Sequence, residues 1–199
     1  MATEKLTVVV PNEDDFKPAP IPFGVVSGPG VDNYDGDGKE YSVTIVLDKK
    51  MEKAYRKEVL AFWEENKPSW AGDEPANWKN IVRDGKVYAK TQTEFDGKHN
   101  EVPIVNHEGT KLDPEEFGSI GDGSMGRLAI TLSIYTQGKK KAGVSTFLSA
   151  VKLTKFVPYS GGGGANAFGQ EDGDVDAAGG FKGEKKDKKK DKKKNKKKK

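Results

Sequence analysis

The stretch "KVYAKTQ" (86–92) sets Lys86, Tyr88, Lys90 and Gln92 on one alternate set of positions and Val87, Ala89 and Thr91 on the other. "GRLAITLSIYTQ" (126–137) repeats the arrangement. Leu128, Ile130, Leu132 and Ile134 form an apolar set, while Arg127, Thr131, Ser133 and Tyr135 form a set of cation, hydroxyls and ring. Such alternation marks a half-buried β-strand, so each strand presents one dry face and one chemically equipped face. Side by side in one sheet, the equipped faces make a floor of positive charge and flat rings. An unpaired nucleic-acid strand requires this: cations for its phosphates, π-faces for its bases, hydroxyls for further hydrogen bonds. The loop "QGKKKAG" (137–143) continues the second strand, and Lys139, Lys140 and Lys141 would add charge where a loop of a barrel can fold over the floor. Phe147, in the following strand, either stacks on a base or packs a barrel corner. An ordinary solvated face also carries Lys, Thr, Gln and Tyr. Recurrence in two strands, with the lysine loop, favours binding.

Other chemistries find less support. "GDGSMG" (121–126) fits G-x-G-x-x-G, but a strand follows it where phosphate binding needs a helix N-terminus, so its glycines read as a tight turn. His99 and His107, with Glu101 and Glu108 nearby, lack the three or four converging ligands of a metal site. Acids are plentiful, yet no spacing singles out a catalytic pair. The sequence has no cysteine, which removes thiolate catalysis, disulfides and Cys-ligated metal. No enzyme, metal or cofactor is expected.

The elements that must position these residues are mostly strands. "KLTVVV" (5–10) and "APIPFGVV" (19–26) are short extended segments, and "EYSVTIVLD" (40–48) alternates with Tyr41, Val43, Ile45 and Leu47 on one face. After Asp48, a suitable N-cap, the period changes: Met51, Tyr55, Val59, Phe62 and Trp63 form a helical stripe that Pro68 closes. Trp63 lies on the stripe and belongs to the core; Trp70 and Trp78 follow in a loop. The strand at 86–95 should keep Thr93 and Phe95 on its inner face, and "EVPIVN" (101–106) reads as another short strand. A hairpin of "GRLAITLSIYTQ" and "GVSTFLSAVKLTKFV" completes the set. This pattern predicts a small all-β barrel with one inserted helix.

Charge is segregated along the 199 residues. Residues 1–170 carry 21 Lys/Arg against 24 Asp/Glu, 171–181 carry four acids and no base, and 182–199 carry 13 lysines against three acids. The overall charge of +3 therefore comes from the last segment. Four parts are expected: a folded domain over 1–159, a Gly-rich linker over 160–170, an acidic segment over 171–181 and a Lys-rich segment over 182–199. The last three are too polar to bury a core and are expected to be disordered. No stretch has the roughly 18 apolar residues of a membrane helix, and the start lacks a signal-peptide pattern, so a soluble, cytoplasmic protein is expected.

Taken in order, "YSVTIVLD", the helix, "KVYAKTQTEF", "VPIVN", "GDGSMGRLAITLSIY", "TQGKKKAG" and "GVSTFLSAVKLTKFVPY" resemble the single-stranded-DNA-binding proteins of double-stranded-DNA bacteriophages, an OB-fold family typified by the replication protein of short-tailed coliphages. The likeness spans residues 5–159 and is most specific over 119–159. It implies a five-stranded OB barrel that binds and protects single-stranded DNA without sequence preference during phage replication and recombination, in the host cytoplasm, and recruits replication and recombination enzymes through an acidic tail. "QEDGDVDAAGGF" resembles that tail, but here it continues into the lysine-rich segment. The site expected from the strand faces and the lysine loop is Lys86, Tyr88, Lys90, Arg127, Thr131, Ser133, Tyr135, Lys139, Lys140, Lys141 and Phe147. An OB-type binder of RNA or another polyanion and a structural barrel of a virion are the alternatives. The oligomeric state stays open, a homodimer included.

Overall fold

Pro22 divides one extended stretch into two short strands, and the barrel closes through that division. In chain order the elements are β1 (Lys5–Val10), β2 (Ala19–Ile21), β3 (Phe23–Val25), β4 (Val31–Asp32), β5 (Lys39–Val46), α1 (Lys49–Asn66), α2 (Trp78–Ile81), β6 (Lys86–Gln92), β7 (Glu94–Phe95) and β8 (Lys98–His99). They continue with β9 (Ile104–Val105), β10 (Lys111–Leu112), α3 (Pro114–Phe117), β11 (Ser119–Ile120), β12 (Ser124–Gln137) and β13 (Lys141–Lys155). The computed structural model describes residues 5–32 and 38–159. The expected linker, acidic segment and Lys-rich segment lie outside the described residues.

Pro22 has no N–H to give a ladder, so the stretch changes partner there. β2 pairs antiparallel with β12, and β3 with β5. β5 pairs with β6, β12 with β13, and β13 runs parallel to β6 at Phe147 and Lys90. Counting β2 and β3 as one bent strand, five strands complete the circuit, as the OB fold requires. Two register shifts between β12 and β13 let these long strands curl without losing their pairing. At Gly126 the seam leaves no room for a side chain: a Cβ there would lie 2.2 Å from the Lys152 carbonyl oxygen. β1 adds to the outer edge of β12.

The apolar sets read from the sequence fill the barrel. Val43, Ile45, Val87, Ala89, Leu128, Ile130 and Leu132 are all buried in one core. α1 forms where its stripe predicts: the Asp48 carboxylate accepts hydrogen bonds from the Lys50 and Met51 amides, and Tyr55, Val59, Phe62 and Trp63 are buried. The helix packs against β1, β12 and β13. Two expected strands are shorter than the sequence implies. "EVPIVN" yields only the two residues of β9, parallel to β13, since Pro103 cannot donate to a ladder. The 86–95 strand stops at Gln92, where the chain bends at Thr93; Thr93 stays buried as expected and its amide still bonds across to the Lys39 carbonyl. No helix among the described residues is long and apolar enough to cross a membrane.

Candidate nucleic-acid interface

The outer faces of β6, β12 and β13 meet in an open cleft of about 710 Å³. The parallel contact that closes the barrel also builds the cleft, because it sets Phe147 beside Lys90. Across the antiparallel ladder, Tyr135 stands opposite Gly143, and the missing side chain lets its ring lie on β13: a Cβ on Gly143 would fall 2.6 Å from the Tyr135 Oη. Tyr88 precedes Lys90 by one outward step, and both line the cleft with Tyr135 and Phe147. Tyr88 is 50% exposed and Phe147 45% exposed. None of Tyr88, Tyr135 and Phe147 pairs with another aromatic ring among the described residues; Tyr135 rests one face on β13 and is half-buried. Lys90 donates to the Glu40 carboxylate at 2.8 Å. A phosphate here would compete with that carboxylate for the ammonium.

One wall of the cleft is set from beneath by the helix. Arg56 stacks 5.1 Å from the Trp78 ring and donates to the carbonyls of Trp78 and Val82, which fastens α2 to α1. Beside α2, the Asn77 side-chain amide donates to the Val144 carbonyl at 2.8 Å and its oxygen accepts from the Val144 amide at 3.1 Å. Asn77 thus stands in for a neighbouring strand along β13, and it also lines the cleft.

The eleven residues expected from the sequence divide by position. Tyr88, Lys90, Tyr135 and Phe147 converge on the cleft. Lys139, Lys140 and Lys141 are exposed, but pairing persists to Gln137 and Lys141, so they occupy a tight hairpin tip and do not line the cleft. Lys86 is exposed at the far end of β6, also outside the lining. Three assignments need correction. Arg127 is only 8% exposed, and its guanidinium donates to the carbonyls of Pro11, Asn12 and Phe16. It anchors the chain between β1 and β2 and presents no free donor fork to a phosphate. Thr131 spends its hydroxyl on Thr7 and Ser149, at 2.9 and 2.7 Å. Ser133 is buried between its ladder partners Lys5 and Ser145. The shared reason is long-range: β1 lies beside β12, its Thr7 meeting Thr131 and its Lys5 flanking Ser133, and the segment after β1 takes up Arg127.

Other lining residues escaped the sequence reading. Lys5 reaches the cleft because β1 pairs with β12, a long-range contact that no local pattern announces. Phe95, expected to face inward, lines the cleft instead, since the bend at Thr93 breaks the alternation. Asn77 and Asn100 carried no periodic signal at all. Among the described residues, no group of three or more His, Asp or Glu converges as a metal site would. Of the "GDGSMG" glycines, Gly121 and Gly123 lie in the turn into β12, Gly123 with a positive φ of 89°, while Gly126 lies within β12 itself.

No protein-family model matches the sequence, and no curated protein matches it. Among solved structures, the chain is similar to gp2.5, a single-stranded DNA binding protein encoded by bacteriophage T7. The TM-score is 0.51 at 21% identity, over 86% of this chain and 97% of that one. Lower similarity is found to the single-stranded DNA-binding protein from bacteriophage Enc34 in complex with ssDNA, with a TM-score of 0.46 at 15% identity, over 78% of this chain and 89% of that one. A C-terminal truncation of the Enc34 protein gives 0.45 at 16% identity, over 78% and 88%. The similarity to gp2.5 agrees with the barrel described above.

Proposed function

We propose that this chain binds single-stranded DNA without sequence preference and protects it during phage replication and recombination, with no catalytic step of its own. The observation that carries the reading is the convergence of Tyr88, Tyr135 and Phe147, from three different strands, on one open cleft that also holds Lys5 and Lys90. Rings stack on bases irrespective of sequence, and the ammonium groups track the backbone. Duplex DNA hides the faces that those rings would contact. The fold likeness to gp2.5, named as a single-stranded DNA binding protein of a phage, supports the same reading. Lys86 and Lys139–Lys141 lie outside the cleft and would take phosphates further along a bound strand. The acidic segment would contact partner enzymes in the host cytoplasm, and the 13 lysines of 182–199 would add a grip that ignores base pairing.

Those lysines also favour a second reading, a polyanion binder whose affinity comes mainly from the tail. Competition separates the two. A labelled oligo-dT bound to the full chain is challenged with unlabelled oligo-dT or with duplex of equal phosphate count, at moderate salt. The cleft reading expects oligo-dT to displace the label far more effectively. Equal displacement by duplex would contradict it.

A further inference from the structure

The hairpin of β7 and β8 forms a sheet of its own, apart from the barrel. Its turn is Asp96–Gly97, with φ of 52° and 70°. Two successive positive φ values are the two-residue turn that matches strand twist, and Asp-Gly is its preferred sequence. The turn sets Phe95 opposite Lys98. The hairpin is fastened firmly at its base. The Thr93 amide and hydroxyl both donate to the Lys39 carbonyl, the Asn100 amide donates to the Thr93 carbonyl, and the Asn100 side chain donates to the Gln92 carbonyl. His99 meets the Tyr41 ring edge-on at 6.1 Å. The tip has no such support. Phe95 is 67% exposed, more than any other large hydrophobic residue described, and Lys98 is exposed beside it.

A lone exposed Phe needs no explanation. Phe95 is different in its setting: it lines the same cleft as Tyr88, Tyr135 and Phe147, and its ladder partner is a cation. A ring and an ammonium side by side repeat the base-and-phosphate pairing of the cleft floor. They do so on a hairpin held at its base and unsupported at its tip, since an isolated two-stranded hairpin is only marginally stable. From this placement we infer that β7–β8 is a clamp on the bound strand, in which Phe95 stacks on a base from the cleft wall and Lys98 takes a neighbouring phosphate. The inference rests on the cleft being a single-strand site and adds a distinct contact and a distinct role. A clamp that must open for release acts mainly on the dissociation rate, where most affinity differences between related complexes reside.

Stopped-flow dissociation of oligo-dT from the full chain tests this. Phe95→Ala should speed dissociation about tenfold, the scale of one lost base–aromatic stack, with an unchanged melting temperature; Phe95→Trp should restore slow release. A fully abasic oligomer of equal length should leave Phe95→Ala and the unsubstituted chain at the same rate. The Phe95→Trp chain should also lose emission on binding oligo-dT, after subtraction of the signal from the native tryptophans, and keep it on binding the abasic oligomer. Unchanged dissociation of oligo-dT from Phe95→Ala, with tight binding retained, would overturn the clamp and leave the cleft reading standing. Failure of the unsubstituted chain to prefer oligo-dT over the abasic oligomer would overturn both.

Discussion

At the scale of single residues, two side chains drawn from similar strand faces serve opposite purposes. Tyr88 is half exposed, with its ring open to the cleft. Tyr88→Ala should weaken oligo-dT binding by about 1–3 kcal/mol, while stability shifts by less than about 0.5 kcal/mol, as for an exposed position. Isothermal titration and thermal melting read the two effects separately. Arg127 should behave in reverse. Its guanidinium satisfies three backbone carbonyls, and lysine cannot reproduce that planar fork. Arg127→Lys should cost about 1–3 kcal/mol of stability, the range for buried acceptors left unsatisfied, with little change in affinity once the protein is folded. A large loss of affinity without loss of stability would return Arg127 to the binding surface. Type and spacing in the sequence could not separate the two residues, because both sit on outward strand positions. The separation comes from residues 11–16 folding over one end of β12, more than a hundred positions away in the chain.

At the scale of elements, the inner faces were legible and the outer faces only in part. Alternation identified Val87, Ala89, Leu128, Ile130 and Leu132 as core, and helical spacing identified Tyr55, Val59, Phe62 and Trp63, since burial of an apolar face imposes its period locally. What covers an outer face depends on which strand lies beside it, and β1 beside β12 leaves no local trace. The end of β6 was hidden too: Thr93 keeps its inward place, but the bend there turns Phe95 out to the cleft. The segment after β1 is also held by Glu13, which accepts from Lys152 at 2.9 Å. That hydrogen bond, aided by the charges of Lys152 and Arg127, keeps the Glu13 carboxyl below its ordinary value against the opposing effect of burial. A carboxyl lowered on folding contributes stability above its unfolded value and loses it as pH falls through the folded one. Glu58, raised chiefly by burial, has the opposite sign: its penalty is relieved as pH falls. Glu13 is half exposed, so its share is about 0–1 kcal/mol after solvent screening. Glu13→Gln should therefore flatten the acid limb of a stability–pH curve slightly and leave neutral-pH DNA binding intact. A steeper acid limb would contradict the assignment.

At the scale of the whole molecule, the charge map separates recognition from attraction. Residues 1–170 carry more acids than bases, so the cleft depends on a few local cations and on its rings, while the 13 lysines of 182–199 supply most of the positive charge. Each phosphate neutralised on a single strand adds about −0.7 to the slope of log affinity against log salt. Removing residues 160–199 should make that slope shallower and raise the preference for single strands over duplex. Every core residue among the described residues lies before Tyr159, so such a truncation retains all of them. The most direct measurement is an equilibrium titration of the 1–159 chain with oligo-dT and with duplex of equal phosphate count, followed by intrinsic fluorescence. Tight, saturable binding of oligo-dT with weak binding of duplex is the predicted result; equal affinity for both, or none for oligo-dT, would contradict the cleft as the site where bases are held.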